Sequence, residues 1–305
     1  MSKTEFVIGT RKSALARWQT DHVRELILAA RPDVVCRIEP FTTRGDRTLD
    51  RPLPEIGGKG LFTLEIEEAL RRGDIDMAVH SLKDLPVEDG TDLTLGAIVG
   101  RADVRDVLIA REKWTLETIP SGARIGTSSL RRQAQLLARR PDLQVRPIRG
   151  NVDTRIRKVQ EGEYDAAVLA AAGVTRLGLT EYVCEWLSLD VMLPAPGQGA
   201  LAVQCRANDE HTLALLAAVD CGDVRRCVQA ERGFLRALAA GCSTPVAAYA
   251  TVASSGFVHL EALVAAPDGS RVLRLAGEGR DGRELGKRLA RQALERGAKE
   301  ILSHG

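Results

Sequence analysis

Three short signals occur in the same order in two stretches of the chain, and this repetition constrains the fold more than any other feature. The first is Ile-Gly-Thr at the end of an apolar run, the second is Arg-Gly-Asp or Arg-Gly-Asn, and the third is Gly-Asp/Glu-x-Asp-x-Ala-Val. They occupy residues 8–10, 44–46 and 73–79, and again residues 125–127, 149–151 and 162–168. Unless the coincidence is due to chance, the pattern predicts two related α/β lobes, with amphipathic helices over parallel sheets.

Each of the three signals falls at the predicted carboxyl end of a strand. In open α/β sheets ligands bind at that edge, where helix N-termini offer free N–H groups and a positive dipole end to anions. Two lobes flanking a cleft would line it with backbone amides, serines and arginines. The expected architecture resembles that of periplasmic binding proteins, which by itself does not indicate a function.

The rest of the chain predicts a returning strand and a third domain. A Pro- and Gly-rich crossing at 194–199 precedes a strand over Ala200–Arg206 that is expected to rejoin the first lobe. Residues 222–305 predict a small α+β domain with an antiparallel sheet. Its expected parts are a helix at 223–240, strands at 246–253, 258–265 and 272–275, and a closing helix from Arg283.

Composition excludes several classes of protein. The N-terminus carries charges where a signal peptide would be apolar, and the chain has no run of 18 apolar residues, so we expect a soluble, cytoplasmic protein without membrane contact. The six cysteines lack CxxC pairing and the five histidines lack ligand spacing, so neither structural zinc nor a disulfide framework is expected, and we predict no metal site.

Residues 124–158 carry a net charge of +8, although the whole chain is only +2. Such concentration favours one multiply anionic small molecule over a nucleic acid, and arginine can bind a carboxylate through two parallel hydrogen bonds. Arg139 and Arg140, at a helix end, are expected on a solvated face. Four other arginines lie in predicted strand-to-helix turns and are the candidate ligands: Arg131, Arg132, Arg149 and Arg155.

Two further residues are candidates for chemistry. Asp84 follows the strand of the third signal and adjoins Lys83, so it could act as a general acid or base or stabilise a cation. The alternative is a turn cap before Pro86. Cys242, in a Gly-Cys-Ser-Thr-Pro loop, is the best candidate for a modified thiol, with a small residue in a tight turn as the alternative. No nearby histidine suits a Cys-His nucleophile.

The segment 53–61 is rich in glycine and contains Lys59, but it lacks the remainder of a phosphate-binding GxxxxGK[ST] motif. It is better suited to a mobile flap over an anionic ligand.

Together these motifs closely resemble the porphobilinogen deaminase (hydroxymethylbilane synthase) family. The resemblance covers nearly the whole chain in order, up to about Tyr249. It rests on residues 8–19, 43–47, 57–70, 76–86, 124–136, 148–155, 193–201 and 241–245.

The resemblance implies a monomer of three domains that binds no nucleic acid. The domains would be lobe one at 1–99 and 200–217, lobe two at 105–193, and the C-terminal domain at 222–305. It also implies a dipyrromethane cofactor held as a thioether on Cys242. Four molecules of porphobilinogen would be added to it with loss of ammonia, and water would release the linear tetrapyrrole.

Roles for individual residues are implied in the same way. Asp84 would assist departure of the aminomethyl nitrogen and stabilise the azafulvene cation, Lys59 and Phe62 would belong to the flap, and Gln19 and Gln198 would lie near the incoming ring. The acetate and propionate groups of cofactor and substrate would be bound by Arg11, Ser13, Lys83, Ser129, Arg131, Arg132, Arg149, Arg155 and Arg176.

Two other classes compete with this interpretation. A non-catalytic anion-binding protein would share the two-lobed design but has no use for Cys242. A nucleic-acid binder would use residues 124–158, the basic window, yet the rest of the chain is net acidic and has few aromatic residues for base stacking.

Overall fold

The computed structural model describes residues 3–43, 45, 63–87, 92–241 and 244–303. The chain is mixed α/β and divides by contact density into two units. Of the described residues, the first unit contains those up to Ala102 and Gly199–Arg225, and the second contains Asp103–Gln198 and those from Arg226 onward. Within the described residues no helix is long and apolar enough to cross a membrane.

The first unit contains a five-stranded sheet in the order β2-β1-β3-β10-β4. Helix α1 packs against the sheet through Val23 and Ile27, which join Phe6, Ile8 and Val203 in the core. Removing each such side chain from water contributes about 1.5–3 kcal/mol. The strands are β1 (Glu5–Arg11), β2 (Val35–Phe41), β3 (Met77–Ser81), β4 (Leu93–Arg101) and β10 (Ala200–Arg206), and the helices are α1 (Ala14–Ala30), α2 (Leu64–Arg72) and α6 (Glu210–Ala217).

The second unit contains a sheet of the same design, in the order β7-β6-β8-β5-β9. Its core lies on both faces of β5 and β8, with Leu108 and Val168 on one side and Val107 and Leu169 on the other. The strands are β5 (Asp106–Ala110), β6 (Arg124–Gly126), β7 (Gln144–Arg146), β8 (Ala166–Ala170) and β9 (Val183–Trp186), and the helices are α3 (Leu130–Arg139), α4 (Val152–Gln160) and α5 (Ala171–Arg176).

The prediction of two related lobes is confirmed, but the expectation of wholly parallel sheets is wrong. In each sheet one strand, β10 or β5, runs antiparallel to both of its neighbours. Each of these strands follows the point where the chain passes from one unit to the other. Each also starts at the carboxyl end of the central strand, since Leu201 pairs with Ser81 and Asp106 pairs with Ala170.

The repeated signals have matching structural roles. Asp76 accepts a hydrogen bond from the Val7 backbone N–H at 2.9 Å, and Asp165 accepts one from the Arg124 N–H at 2.8 Å. These aspartates therefore tie the start of β3 or β8 to the neighbouring strand. The prediction that the third signal lies at the carboxyl end of a strand is wrong, because in both lobes it leads into the amino end.

The glycine of the first signal is needed for close packing in both lobes. A Cβ on Gly9 would overlap the Cδ1 of Ile75, and one on Gly126 would lie 3.0 Å from the Cδ1 of Ile148 and 3.1 Å from the Cδ1 of Tyr164. Contacts this short are rare for a real Cβ, so a larger residue would require these side chains to shift, whereas glycine allows the close packing without that change. Arg44 and Asp46 of the second signal lie outside the described residues.

The C-terminal part folds as predicted, with a three-stranded antiparallel sheet in the order β11-β12-β13. Helices α7 and α8 cross closely, because Gly286 of α8 lies against the backbone of Ala230 and Phe234, where a Cβ would overlap Ala230 O. The elements are β11 (Val246–Val252), β12 (Val258–Ala265), β13 (Val272–Gly279), α7 (Gly222–Ala237), α8 (Gly282–Glu295) and α9 (Ala298–Ser303).

Within the second unit, the C-terminal sheet packs on the second lobe. Ala134 of α3 and Leu193 share an apolar cluster with Leu263 of β12. The buried carboxylate of Glu231 accepts hydrogen bonds from the backbone N–H groups of Gly197, at 2.7 Å, and Ala250, at 2.8 Å.

Candidate active site

In the first unit, the candidate residues follow β1 and β3 at the carboxyl end of the sheet. Arg11 is the last residue of β1, and Ser13 is the N-cap of α1, where its Oγ accepts a hydrogen bond from the Ala16 N–H at 3.3 Å. Both side chains are half-buried. This helix start is a suitable place for an anion because its positive dipole end lies beside a guanidinium.

Asp84 is exposed at the end of a single 3₁₀ turn, Leu82–Asp84, that follows β3 directly. The turn is held by the hydrogen bond from Leu85 N–H to Leu82 O, 3.1 Å, and by the burial of both leucines. The Asp84 carboxylate makes no hydrogen bond or ion pair with the rest of the described chain, so no turn-capping contact occupies it. The turn therefore presents this carboxylate to solvent beside Lys83.

Two buried polar residues lie next to this turn. Gln19 is 4% exposed and donates from Nε2 to the Oγ of Ser81 at 2.8 Å. His80 is also buried, and desolvation, reinforced by the charge of Arg11, lowers its pKa to about 4. The imidazole is therefore neutral at physiological pH. The sequence analysis did not single out His80, whose only signal is a histidine within an apolar strand.

In the second unit, the same sheet edge carries the N-terminus of α3. Ser129 is the N-cap, and its Oγ lies 3.5 Å from the Arg132 N–H. The preceding Ser128 joins two loops, because its Oγ donates to Ile148 O at 2.8 Å and accepts from Ile148 N–H at 3.1 Å. The start of α3 and the loop that carries Arg149 are therefore held together.

Arg131 and Arg132 both bind Asp106, which is fully buried at the start of β5. The Arg131 Nη1 donates to Asp106 Oδ2 at 2.8 Å, and Arg132 donates to Oδ1 from Nη2 at 2.6 Å and from Nε at 3.2 Å. Both guanidiniums also donate to backbone carbonyls, Arg131 to Leu193 O at 2.7 Å and Arg132 to Val168 O at 2.9 Å. The sequence analysis missed Asp106, whose signal is an acid at the head of an apolar strand.

Gln198 belongs to the same network. Its side chain is fully buried, and Nε2 donates to Val104 O at 2.8 Å, to Arg105 O at 3.3 Å and to Asp106 Oδ1 at 3.0 Å.

Three further predicted arginines are half-buried in the second unit. Desolvation lowers the pKa of Arg176 to about 10 and also lowers the pKa of Arg149. Arg155 donates from Nε to Gly150 O at 2.9 Å. Gly150 has φ +111° and its α-hydrogen faces Thr154, so no other residue fits this turn without strain. Partly desolvated guanidiniums of this kind gain most from an anionic ligand.

The basic window also contains residues with other roles. Arg139 is exposed, as predicted, but Arg140 is not on a solvated face. Its Nη1 donates to Leu116 O at 2.6 Å and its Nη2 to Ile119 O at 3.0 Å, so it joins the end of α3 to a neighbouring loop. A guanidinium can satisfy several carbonyls at once, which the sequence pattern does not reveal.

Cys242, Lys59 and Phe62 lie outside the described residues. The five described cysteines are free thiols. Burial raises the pKa of Cys205 to about 11 and also raises the pKa of Cys36, so these two thiols stay protonated. The described part of the chain contains no cluster of three or more acidic, histidine or cysteine side chains suited to a metal ion.

Fold and side chains together define a two-lobed α/β protein with a separate sheet domain and with cationic side chains along the ligand edge of its sheets. The family model for porphobilinogen deaminase, dipyrromethane cofactor binding domain, matches residues 6–214. The model for the porphobilinogen deaminase C-terminal domain matches residues 225–295. The chain belongs to the porphobilinogen deaminase family, which confirms the resemblance.

Curated relatives agree over almost the full length. Porphobilinogen deaminase of Brevibacillus brevis is 46% identical over 296 residues, covering 97% of this chain and 96% of that protein. The protein of the same name from Roseiflexus sp. strain RS-1 is 49% identical over 302 residues, covering 99% of both. Among solved structures, the aliphatic sulphonate binding protein SsuA of Escherichia coli aligns with a TM-score of 0.39 and 15% identity, over 77% of this chain and 70% of that one. That likeness is too low to carry an argument.

Proposed function

We propose that the protein is a porphobilinogen deaminase, a transferase that joins four porphobilinogen molecules head to tail with loss of ammonia and then releases the linear tetrapyrrole hydroxymethylbilane with water. The observation that carries the proposal is the position of Asp84, an exposed carboxylate on a turn inside the matched cofactor-binding domain. A protein that only binds anions would not need a negative charge at this edge.

The residues of the second unit fit a dipyrromethane that carries acetate and propionate side chains. Arg131 Nε is buried and has no hydrogen-bond partner among the described residues, so a donor is available beside the N-terminus of α3. When bound, the cofactor supplies the free pyrrole carbon at which the chain grows. We propose that it is attached to Cys242 and held by Lys83, Ser129, Arg131, Arg132, Arg149 and Arg155.

Asp84 has the main chemical role in this proposal. Its carboxylate would accept a hydrogen bond from a pyrrole N–H, assist departure of the protonated amino group of the aminomethyl substituent as ammonia, and stabilise the cation left on the substrate. A negative charge here repels an anionic substrate, so it benefits turnover chiefly through the positive charge that develops in the transition state.

Other residues bind and orient the substrate. Arg11 and Arg176 would each bind a substrate carboxylate through charge-assisted hydrogen bonds, and Ser13 would place the helix N-terminus beside one of them. Gln19 and Gln198 are proposed near the incoming ring.

The remaining parts of the proposal concern the flap, the domain boundaries, the cellular location and the oligomeric state. Lys59 and Phe62 would form the flap. The domains would be 1–99 with 200–217, 105–193 and 222–305, and the protein would act as a cytoplasmic monomer.

The test is a mass measurement on denatured protein together with an assay of porphobilinogen consumption. We expect a mass above that of the sequence, a positive reaction with an aldehyde reagent for pyrroles, and consumption of porphobilinogen. Cys242→Ser should lose all three signals. Cys221→Ser, which alters a half-buried thiol, is the matched control and should keep them.

An unmodified mass in an active preparation, or an adduct mapped to Cys205 or Cys227, would contradict the proposal. A protein that binds porphobilinogen without consuming it would favour the non-catalytic anion-binding class.

A further inference from the structure

We propose that Asp106 is a positioning residue for ligand binding, which holds the guanidiniums of Arg131 and Arg132 in the orientation that receives the carboxylates of cofactor and substrate. This inference rests on the proposed function and adds a residue that does not itself touch the ligand.

The geometry around Asp106 is specific for the two arginines. Its Oδ2 receives Nη1 of Arg131, and its Oδ1 receives Nε and Nη2 of Arg132 together with Nε2 of Gln198. Asp106 is 0% exposed, and Arg131 and Arg132 are 4% and 6% exposed. Bulk water therefore has little access to these contacts, and a change at Asp106 acts on both arginines.

Strand pairing explains how Asp106 reaches the ligand edge. β5 runs antiparallel to β8, so its first residue, Asp106, pairs with Ala170, the last residue of β8. The N-terminus of α3, which contributes Arg131 and Arg132, begins at the same edge. An acid at the amino end of a parallel strand would have lain at the opposite edge, where Asp165 binds Arg124.

Charge explains why a carboxylate is needed here. Arg131 and Arg132 are adjacent in sequence and would repel each other strongly when buried without a counter-ion. Burial alone would raise the pKa of Asp106, but the two arginines outweigh that effect and hold its pKa below the usual range. The three groups together keep one net positive charge, which suits one ligand carboxylate.

The arginines retain donors after Asp106 is satisfied. Arg131 Nε has no hydrogen-bond partner among the described residues. Because Leu193 O and Val168 O fix the other sides of the two guanidiniums, the direction of the remaining donors is set by the protein before a ligand arrives.

Positioning and simple electrostatics predict opposite results for Asp106→Asn. The substitution removes a negative charge next to two positive ones, so electrostatics alone predicts tighter anion binding and a lower KM. If Asp106 orients the guanidiniums, their donors lose direction, and the KM for porphobilinogen should rise roughly tenfold or more, with a smaller change in kcat.

The matched control is Asp165→Asn. Asp165 also binds an arginine of the same sheet, with Arg124 Nη2 at 3.1 Å, but at the edge away from the ligand residues. We would measure the fraction carrying covalent cofactor by denatured mass, the KM and kcat of the loaded fraction, and the thermal midpoint. Asp106→Asn should load less cofactor or show the raised KM, whereas Asp165→Asn should lose thermal stability and keep both.

Asp106→Glu provides a second variant if Asp106→Asn does not fold. It keeps the charge and lengthens the side chain by one methylene, so it should also raise KM or reduce loading. Unchanged KM and loading in Asp106→Glu would overturn the proposal. So would a KM at or below the wild-type value in Asp106→Asn, or equal losses in Asp106→Asn and Asp165→Asn. Failure of the proposed function is a different result, in which wild-type protein carries no adduct and consumes no porphobilinogen.

Discussion

The two lobes have the same strand order and the same internal anchors, yet their ligand edges differ in chemistry. In the first lobe the edge carries an exposed carboxylate, Asp84, and in the second it carries two buried arginines, Arg131 and Arg132, that bind Asp106. The amino ends of the strands keep matching residues, Asp76 and Asp165, with matching hydrogen bonds. The two lobes therefore share structural residues at the amino ends of their strands and differ in the side chains at the carboxyl ends.

The two lobes also differ at buried positions of the central strand and of the antiparallel strand paired with it. His80 and Leu169 occupy equivalent positions, each next to last in the central strand. Leu201 and Asp106 are also equivalent, because each pairs with the last residue of that strand, Ser81 or Ala170. The first lobe therefore has a neutral histidine and a leucine where the second has a leucine and an ionised aspartate. At these two pairs of equivalent positions, one lobe therefore buries a group that stays uncharged and the other buries a group that stays charged.

The largest expected effect tests whether the first lobe supplies the catalytic carboxylate. Asp84→Asn keeps size and hydrogen bonding but removes charge and proton transfer, so kcat should fall by about 10² or more. Covalent cofactor should remain attached, as judged by denatured mass. Asp74→Asn, an exposed acid paired with Arg72 near the other end of β3, is the control and should be near normal.

A near-normal kcat with a raised KM in Asp84→Asn would break this comparison. The first lobe would then only position the ligand, and the catalytic carboxylate would have to lie elsewhere.

The next effect tests whether the second lobe binds carboxylates. Replacing Arg149 by Gln removes a charge-assisted contact, so KM should rise or cofactor loading should fall on the order of tenfold to a hundredfold. Arg139→Gln removes the same charge from an exposed helix end and should have little effect. Equal losses in the two variants would show that the basic window acts only through its diffuse field.

A third prediction uses the buried histidine of the first lobe. The pKa of His80 is lowered from 6.5 to about 4, mainly by desolvation. Between these pH values the unfolded chain binds a proton that the folded chain excludes, so the free energy of unfolding falls as the pH falls through this window. At pH 5 the loss relative to pH 7 is about 2 kcal/mol.

His80→Leu gives the first lobe the residue found at the equivalent position of the second, Leu169. This variant should lose that part of the pH dependence when urea unfolding is measured at pH 7 and pH 5. The pKa of the Asp106 carboxyl is also lowered on folding, and for an acid this adds to the free energy of unfolding. That contribution is fully present above about pH 3.9 and is lost only below it. If His80→Leu keeps the wild-type change in the free energy of unfolding between pH 7 and pH 5, other groups must cause the pH dependence.

Much of the fold could be predicted from the sequence, because each element depends on residues that are close together in the chain. The Ile-Gly-Thr strands, the helix start at Ser129 and the antiparallel C-terminal sheet all depend on residues close together in the chain. The position of Asp84 after a strand was visible for the same reason.

The buried network could not be predicted, because its partners are distant in sequence. Asp106 lies 25 residues from Arg131 and reaches it only through the antiparallel insertion of β5, which no local pattern indicates. Likewise, Arg140 resembles any surface arginine until α3 packs beside the carbonyls of Leu116 and Ile119. Local chemistry could be predicted, whereas the pairing of remote charges required the fold.

The smallest expected effect is a difference in stability between variants of Asp76 and Asp165, the aspartates of the third repeated signal. Asp76 has 8% of its side chain exposed and accepts from Val7 N–H, Lys3 and Arg206, whereas Asp165 has 19% exposed and binds Arg124, whose own side chain is 43% exposed. Solvent therefore screens the second site more, and an asparagine oxygen could still accept the backbone N–H at either site. We expect Asp76→Asn to lower the free energy of unfolding by about 1 kcal/mol more than Asp165→Asn, measured by urea titration at pH 7. Equal losses would show that the surrounding ion pairs contribute the same stabilisation at the two sites, whatever their exposure to solvent.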